Sequence, residues 1–120
     1  TQRRPFFLYF DEFQNYTNLS LIEMLSELRK FKVGVIMAHQ YINQLDTAIK
    51  DAVLGNVGTI VCFRLSYNDA KLLEKEFHPV FASSDFINLQ NHDFYIKMMI
   101  GGIPSKAFSA TGIHPSTFEY

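Results

Sequence analysis

The sequence of 120 residues contains no tryptophan, one cysteine and four prolines, and its charges nearly balance. A single cysteine cannot form a disulfide within the chain, which excludes a disulfide-stapled secreted fold. Eleven basic against twelve acidic residues exclude a protein that coats nucleic acid through bulk positive charge. No apolar run reaches the ~18 residues that span a bilayer, and the first residues lack the apolar core of a signal peptide.

The chain is rich in apolar and aromatic side chains, at 48% and 15% of its residues. This composition excludes a disordered protein and suits one tightly packed domain, which we place at residues 1–120. Cys62 lies in the apolar run from Thr59 to Phe63, so we expect a buried, reduced thiol in a cytoplasmic protein. Because the chain begins without Met and enters an apolar run almost at once, we expect it to be part of a longer protein.

Continuous apolar runs at Phe6–Phe10, Val33–Ala38 and Thr59–Phe63 predict strands that are covered on both faces, as in parallel sheets. Helices are predicted between and after them. The first opens at a capping box formed by Ser20 and Glu23, the second spans Tyr41–Leu54, and the third runs from Ser66 and Asp69 to a stop before Pro79. The alternation predicts an α/β fold with a mostly parallel sheet.

The end of the chain has a different pattern. Extended segments at Phe94–Ile100 and Ile103–Ala110 flank Gly101-Gly102, and this predicts an antiparallel hairpin. Residues 111–120 are predicted to be irregular.

The residues that best indicate chemistry are Asp11 and Glu12, which follow the first predicted strand directly. Ligands of open α/β sheets bind beyond the carboxyl ends of the strands. There Asp11 could hold Mg²⁺ directly or through water, and Glu12 could activate a water for attack on a phosphate. The alternative is a strand that simply ends in acidic residues at the surface.

Gln40 and Arg29 are weaker candidates. Gln40 follows the second predicted strand, where its amide could sense a γ-phosphate or position water, or merely cap a helix. Arg29 and Lys30 end the intervening helix. They could complement the helix dipole, or one of them could reach the nucleotide of a neighbouring subunit as an arginine finger.

The order of these motifs along the chain is informative. It runs Asp11-Glu12-Phe13, Leu28-Arg29-Lys30-Phe31 and Gly34 to Gln40, then Asn56 to Arg64 and Asn68-Asp69-Ala70. The succession resembles the HerA–FtsK superfamily of hexameric motor ATPases, above all the coupling proteins of conjugation and type IV secretion (TraD/TraG-like). The resemblance covers about residues 5–110. It implies the C-terminal part of a RecA-like domain that works with ATP, Mg²⁺ and DNA in a homo-oligomeric ring.

The resemblance also implies roles for single residues. Asp11 and Glu12 would form the Walker B motif, with Asp11 binding Mg²⁺ and Glu12 activating water. Gln40 would be the sensor, and Arg29, with Lys30 as the alternative, would act on the next subunit. Such a protein would lie in the cytoplasm, with other segments holding it at the inner membrane.

One element of this family is missing, because no G-x-x-x-x-G-K-[ST] loop occurs in the chain. We therefore expect these 120 residues alone neither to bind ATP tightly nor to hydrolyse it. The resemblance implies that the P-loop strand lies upstream and sits between the strands 33–38 and 59–63. Without it, either those two strands pair, or an exposed sheet edge lets the chain self-associate.

Two other classes remain open at this stage. The chain could be a non-catalytic module that recognises an accessory DNA-processing protein through the segment Asp11–Asn18 and the hairpin. A receiver-like or flavodoxin-like domain is disfavoured, because such domains draw acidic residues from several strand ends and this chain offers one.

Overall fold

The computed structural model describes residues 4–12 and 19–118, with no account of the side chains of residues 19, 20 and 29. These described residues form an α/β fold with one short parallel sheet and two antiparallel ones. It divides after Val57 into two compact units. We describe each unit by itself.

Residues 4–12 and 19–57 of the first unit form one pair of strands and two α-helices. Its elements are β1 (Phe6–Phe10), α1 (Leu19–Leu28), a 3₁₀ turn (Arg29–Phe31), β2 (Val33–Met37), a second 3₁₀ turn (Ile42–Gln44) and α2 (Thr47–Asn56).

The second unit is richer in strands. Its elements are β3 (Ile60–Cys62), α3 (Tyr67–Phe77), α4 (Ser83–Ile87), β4 (Asp93–Lys97), β5 (Met99–Ile100), β6 (Ile103–Pro104), β7 (Phe108–Thr111) and a final 3₁₀ turn (Pro115–Thr117).

In the first unit, β1 and β2 pair in parallel from Phe6 opposite Val33 to Phe10 opposite Met37. This confirms the predicted parallel neighbours. A small apolar core packs beneath them, in which partly buried side chains such as Phe10 and Met37 contact a cluster of buried ones. The buried members are Leu21, Leu45, Ile49 and Val53.

The prediction that the first strand is covered on both faces is wrong for the described residues. Phe7 is 58% exposed and Tyr9 is 73% exposed, and Ile36 beside them on β2 is also exposed. Alternate residues of a strand face opposite sides of the sheet, and only the side of Phe10 has packing partners in this core. One face of the pair is therefore apolar and open.

In the second unit, β3, β4 and β7 form an antiparallel sheet in that order. The predicted mostly parallel sheet is thus wrong for β3, which pairs with the returning strand β4 rather than with the second predicted strand. Ile60 lies opposite Lys97 and Cys62 opposite Tyr95. The reason is that β4 belongs to a long hairpin and offers β3 an antiparallel edge.

The predicted hairpin is confirmed. Its tip is the β5–β6 pair, where Ile100 lies opposite Ile103 across Gly101-Gly102. Both glycines have positive φ, +59° and +79°, as a two-residue turn with right-handed strand twist requires. The ladder of strand hydrogen bonds is interrupted after the β5–β6 pair, and β4 and β7 then continue the same antiparallel pairing.

The helix boundaries differ from the predicted ones in two places. Helix α1 begins at Leu19, so Ser20 lies inside the helix rather than capping it. The predicted helix Tyr41–Leu54 is divided, because Asp46 adopts an extended conformation (φ −58°, ψ 145°) and α2 starts only at Thr47. The third helix is confirmed: Ser66 precedes it and donates a 3.3 Å hydrogen bond to the Asp69 carboxylate, and it ends at Phe77 before Pro79.

Aromatic rings form the core of the second unit. Phe86 on α4 is fully buried and makes edge-to-face contacts at 5.1 Å with Phe77 of α3 and Tyr95 of β4. Phe81 stacks on Tyr95 at 3.6 Å. Cys62 is buried as predicted, and desolvation by burial, with the nearby Asp69 carboxylate, raises the pKa of its thiol to about 12. Within the described residues, no helix is long and apolar enough to cross a membrane.

Candidate functional site

The acidic pair lies where the parallel strands end. The Ala38 N–H donates a 2.9 Å hydrogen bond to the carbonyl of Phe10, extending the β1–β2 ladder by one residue. Neighbouring strands are about 4.8 Å apart, so Asp11 leaves β1 beside the backbone that leads into His39 and Gln40. Asp11-Glu12 and His39-Gln40 therefore share the carboxyl rim of one strand pair.

The backbone at this rim is turned sharply. Glu12 has φ +50°, a left-handed conformation that non-glycine residues seldom adopt. Its side chain is half-buried, whereas Asp11 is exposed. Left-handed non-glycine residues cost about 1–3 kcal/mol and are concentrated at functional sites. Asp11 is thus open to solvent, whereas Glu12 interacts with other groups of the protein.

The second strand ends in an ordered polar segment. The His39 Nε2 is hydrogen-bonded to the carbonyl oxygen of Tyr41 at 2.5 Å, which orients the ring against the backbone that follows. The 3₁₀ turn Ile42–Gln44 follows. Gln40, between the histidine and this turn, is exposed, so its amide is available to a ligand at the rim.

Arg29 and Lys30 lie at the opposite end of the strand pair. They belong to the 3₁₀ turn that precedes β2, and the Phe6 N–H donates a 3.2 Å hydrogen bond to the carbonyl of Lys32 at this end. Five residues of strand at about 3.3 Å each separate this end from Glu12, a distance of roughly 16 Å that exceeds the reach of an arginine side chain.

Of the two cations, the side chain of Arg29 lies outside what the structure describes. Lys30 is exposed and forms an i,i+3 salt bridge with Glu27, with Nζ 3.1 Å from the carboxylate. The structure thus brings Asp11, Glu12 and Gln40 to one rim and leaves Arg29 and Lys30 far from it within the same chain.

The rim offers few protein ligands for a metal ion. Among residues 4–12 and 19–118, no three His, Cys, Asp or Glu side chains are grouped closely enough to hold an ion. An exposed carboxylate such as Asp11 suits Mg²⁺, which keeps several waters and is often held through one carboxylate together with substrate phosphates.

A polar cleft in the second unit was missed by the sequence analysis. It lies where β3 ends and β4 begins. In the sequence, the cleft is marked only by Arg64, directly after β3, and by the polar residues 90–92, directly before β4. Its lining residues are Phe63, Arg64, Gln90, Asn91 and His92.

No family model matches the chain, and no curated protein matches its sequence. The structure defines the class of the protein: it has an α/β fold, and in the described residues a parallel strand pair ends in carboxylates and an amide.

Proposed function

We propose that this chain is the C-terminal part of a RecA-like motor domain from an ATPase that moves or couples DNA, as in conjugation and type IV secretion. The observation that carries the proposal is the shared rim of β1 and β2. Asp11, Glu12 and Gln40 come from separate strand ends, yet the parallel register gathers them at one edge, as phosphoryl transfer needs.

Each rim residue has a role in this proposal. Asp11 would hold Mg²⁺ with its exposed carboxylate, and bound Mg²⁺ neutralises charge on the phosphates. Glu12, whose backbone is left-handed at φ +50°, accepts a proton from the attacking water. Gln40 donates its amide to the γ-phosphate or to that water.

The placement of Arg29 supports action between subunits. A cation roughly 16 Å along the strands from Glu12 cannot serve the same rim, whereas a ring of identical subunits can set it against the next one. Arg29 is therefore the trans-acting residue of the proposal. Lys30 is the weaker choice because Glu27 already pairs with it.

Two strand edges are consistent with a further strand in the longer protein. Within the described part of the chain, β2 has β1 on one side only, and β3 has β4 on one side only. The P-loop strand that the resemblance implies would find an unpaired edge at either strand. In its absence the same edges are where self-association of the 120-residue chain would begin.

Subunit mixing tests the division of roles. In the longer protein, Glu12→Gln and Arg29→Ala each abolish ATP hydrolysis. Mixed rings regain part of it, since some interfaces then join an intact Glu12 to an intact Arg29 of the neighbour. Lys30→Ala is the matched control and retains hydrolysis. If mixing restores nothing while both variants still assemble into rings, the trans assignment is wrong.

A recognition module is the second candidate, and the hairpin favours it. Ile100 and Ile103 at the hairpin tip are 61% and 70% exposed, an apolar end suited to a protein partner. The other surface expected for this role, residues 11–18, lies mostly outside the described residues. A pull-down with the 120-residue chain separates the candidates: a module retains an accessory DNA-processing protein, and Ile103→Ser releases it.

A further inference from the structure

The second unit contains an open cleft of about 310 Å³ beside its three-stranded sheet. This volume is at the lower end of the range for small-molecule sites, which is roughly 300–1,000 Å³. The cleft lies wholly within residues 58–118, and none of the rim residues of the first unit lines it. It is therefore a separate site from the acidic rim.

Strand pairing places the two sides of the cleft together. Because β3 and β4 are antiparallel, with Cys62 opposite Tyr95, the residues after Cys62 lie beside the turn that leads into β4. That turn is closed by a 3.2 Å hydrogen bond from the Asp93 N–H to the carbonyl of Gln90. Two segments that are far apart in the sequence, 63–64 and 90–92, thus form the two sides of the cleft.

The turn is held in a defined shape. His92 has φ +70°, and its carbonyl accepts a 2.7 Å hydrogen bond from the N–H of Gly112. A Cβ at position 112 would lie 3.3 Å from that carbonyl oxygen, which is tighter than ordinary contact. Because position 112 is a glycine, the backbone after β7 can approach the turn closely enough to form this hydrogen bond. The hydrogen bond holds the backbone of the turn from which the amide side chains of Gln90 and Asn91 project.

The side chains of the cleft are complementary to an aromatic anion. Phe63 is 52% exposed, and its ring is fixed by a tilted contact with Phe94 at 5.2 Å. No carboxylate lines the cleft, and within the part of the chain that the structure describes no ion pair engages the Arg64 guanidinium. An exposed ring, a guanidinium and two adjacent amides are the groups that bind a base and its phosphate.

We propose that this cleft binds a nucleotide. The base stacks on Phe63, the amides of Gln90 and Asn91 meet the polar edge of the base, and Arg64 pairs with the phosphate. An acidic peptide would use Arg64 but leave the ring and the paired amides without a match. The nucleotide is either free or part of a single strand, and this inference does not depend on the motor proposal.

Titration of the 120-residue chain with AMP, followed by saturation-transfer NMR and calorimetry, tests the site. We expect saturable binding of AMP and binding at least about tenfold weaker for adenosine and for inorganic phosphate alone, because each lacks half of the contacts. Arg64→Met weakens AMP binding by about tenfold or more. Phe63→Leu removes the ring on which the base stacks and weakens AMP binding by a similar factor.

Lys71→Met is the matched control, since Lys71 is an exposed cation of the same unit that lies over the Tyr67 ring and away from the cleft. It leaves AMP binding unchanged, and circular dichroism confirms that all three variants fold. A second titration uses a short oligodeoxyadenylate. If it binds more tightly than AMP and Arg64→Met abolishes that binding, the ligand is a single strand. If AMP binds more tightly than the oligonucleotide, the ligand is a free nucleotide. Absence of binding by both probes, or binding that Arg64→Met and Phe63→Leu do not change, overturns the proposal.

Discussion

Replacement of Phe86 by alanine should strongly destabilise the second unit. Phe86 is fully buried, and its ring contacts those of Phe77 and Tyr95 at 5.1 Å. Truncating a buried phenylalanine to alanine costs about 3–5 kcal/mol, because apolar burial is lost and a cavity remains. Edge-to-face ring pairs add about 0.5–1.5 kcal/mol each. Since small domains have about 5–15 kcal/mol of stability in all, this one change removes a large share of it.

Urea unfolding followed by the near-ultraviolet circular dichroism of the tyrosines measures the effect. Tyr95, stacked on Phe81, contributes to this signal, and the chain has no tryptophan that would dominate it. Phe86→Leu keeps part of the volume and should cost about 1–3 kcal/mol, so a midpoint remains measurable if the alanine variant does not fold.

Phe108→Ala is the control for this experiment, because Phe108 lies on β7 of the same unit but is 42% exposed. Its replacement should cost about 1 kcal/mol or less. Equal losses for Phe86→Ala and Phe108→Ala would refute the reasoning, since they would mean that the buried ring cluster is not what holds the second unit together.

Three further perturbations are predicted from the contacts. The pKa of Cys62, raised to about 12, keeps its thiol protonated in the fold, so stability falls as pH rises from about 9 toward 12, and unfolding of Cys62→Ala should lack this part of the pH dependence. Gly102→Ala should cost about 1–2 kcal/mol in thermal unfolding because of its φ of +79°, whereas Gly55→Ala on α2 should stabilise slightly, and equal effects would contradict this. Lys30→Ala should change stability by less than about 0.5 kcal/mol, since its salt bridge with Glu27 is exposed, and a loss above roughly 1 kcal/mol would contradict this.

Local chemistry explains which elements were predictable from the sequence. The Gly101-Gly102 turn needs positive φ at both positions, and the start of α3 at Ser66 and its end before Pro79 follow from short-range sterics and hydrogen bonding. The parallel neighbours β1 and β2 were also predictable, because a helix connects two apolar runs.

The rest depends on partners far apart in the sequence. The apolar run of β3 suits a parallel or an antiparallel neighbour equally well, and only the position of β4 decides between them. Phe7 and Tyr9 are aromatic residues of the kind that usually predicts a buried face, so only the structure shows that this face is exposed. The cleft at Arg64 was missed for the same reason, since pairing of β3 with β4 is what joins its two sides.

At the acidic rim, the sequence predicted the gathering of strand ends but not its geometry. Asp11, Glu12 and Gln40 share the rim because parallel strands end at one edge. The left-handed turn at Glu12 and the position of Arg29 at the far end of the pair come from the structure. Under the proposed function, these two features divide the candidate residues into groups that would act within one subunit and a group that would act on the next.

The most direct test of the account is the ATP turnover of the longer protein with Glu12→Gln, measured together with its affinity for ATP. The account predicts that turnover falls by a factor of at least about 10², the usual contribution of a general base, while ATP binding is unchanged. Glu23→Gln, at an exposed position of α1, should leave both unchanged. Hydrolysis at the original rate by the Glu12→Gln protein would contradict the central claim that the rim of β1 and β2 is the catalytic edge of an ATPase.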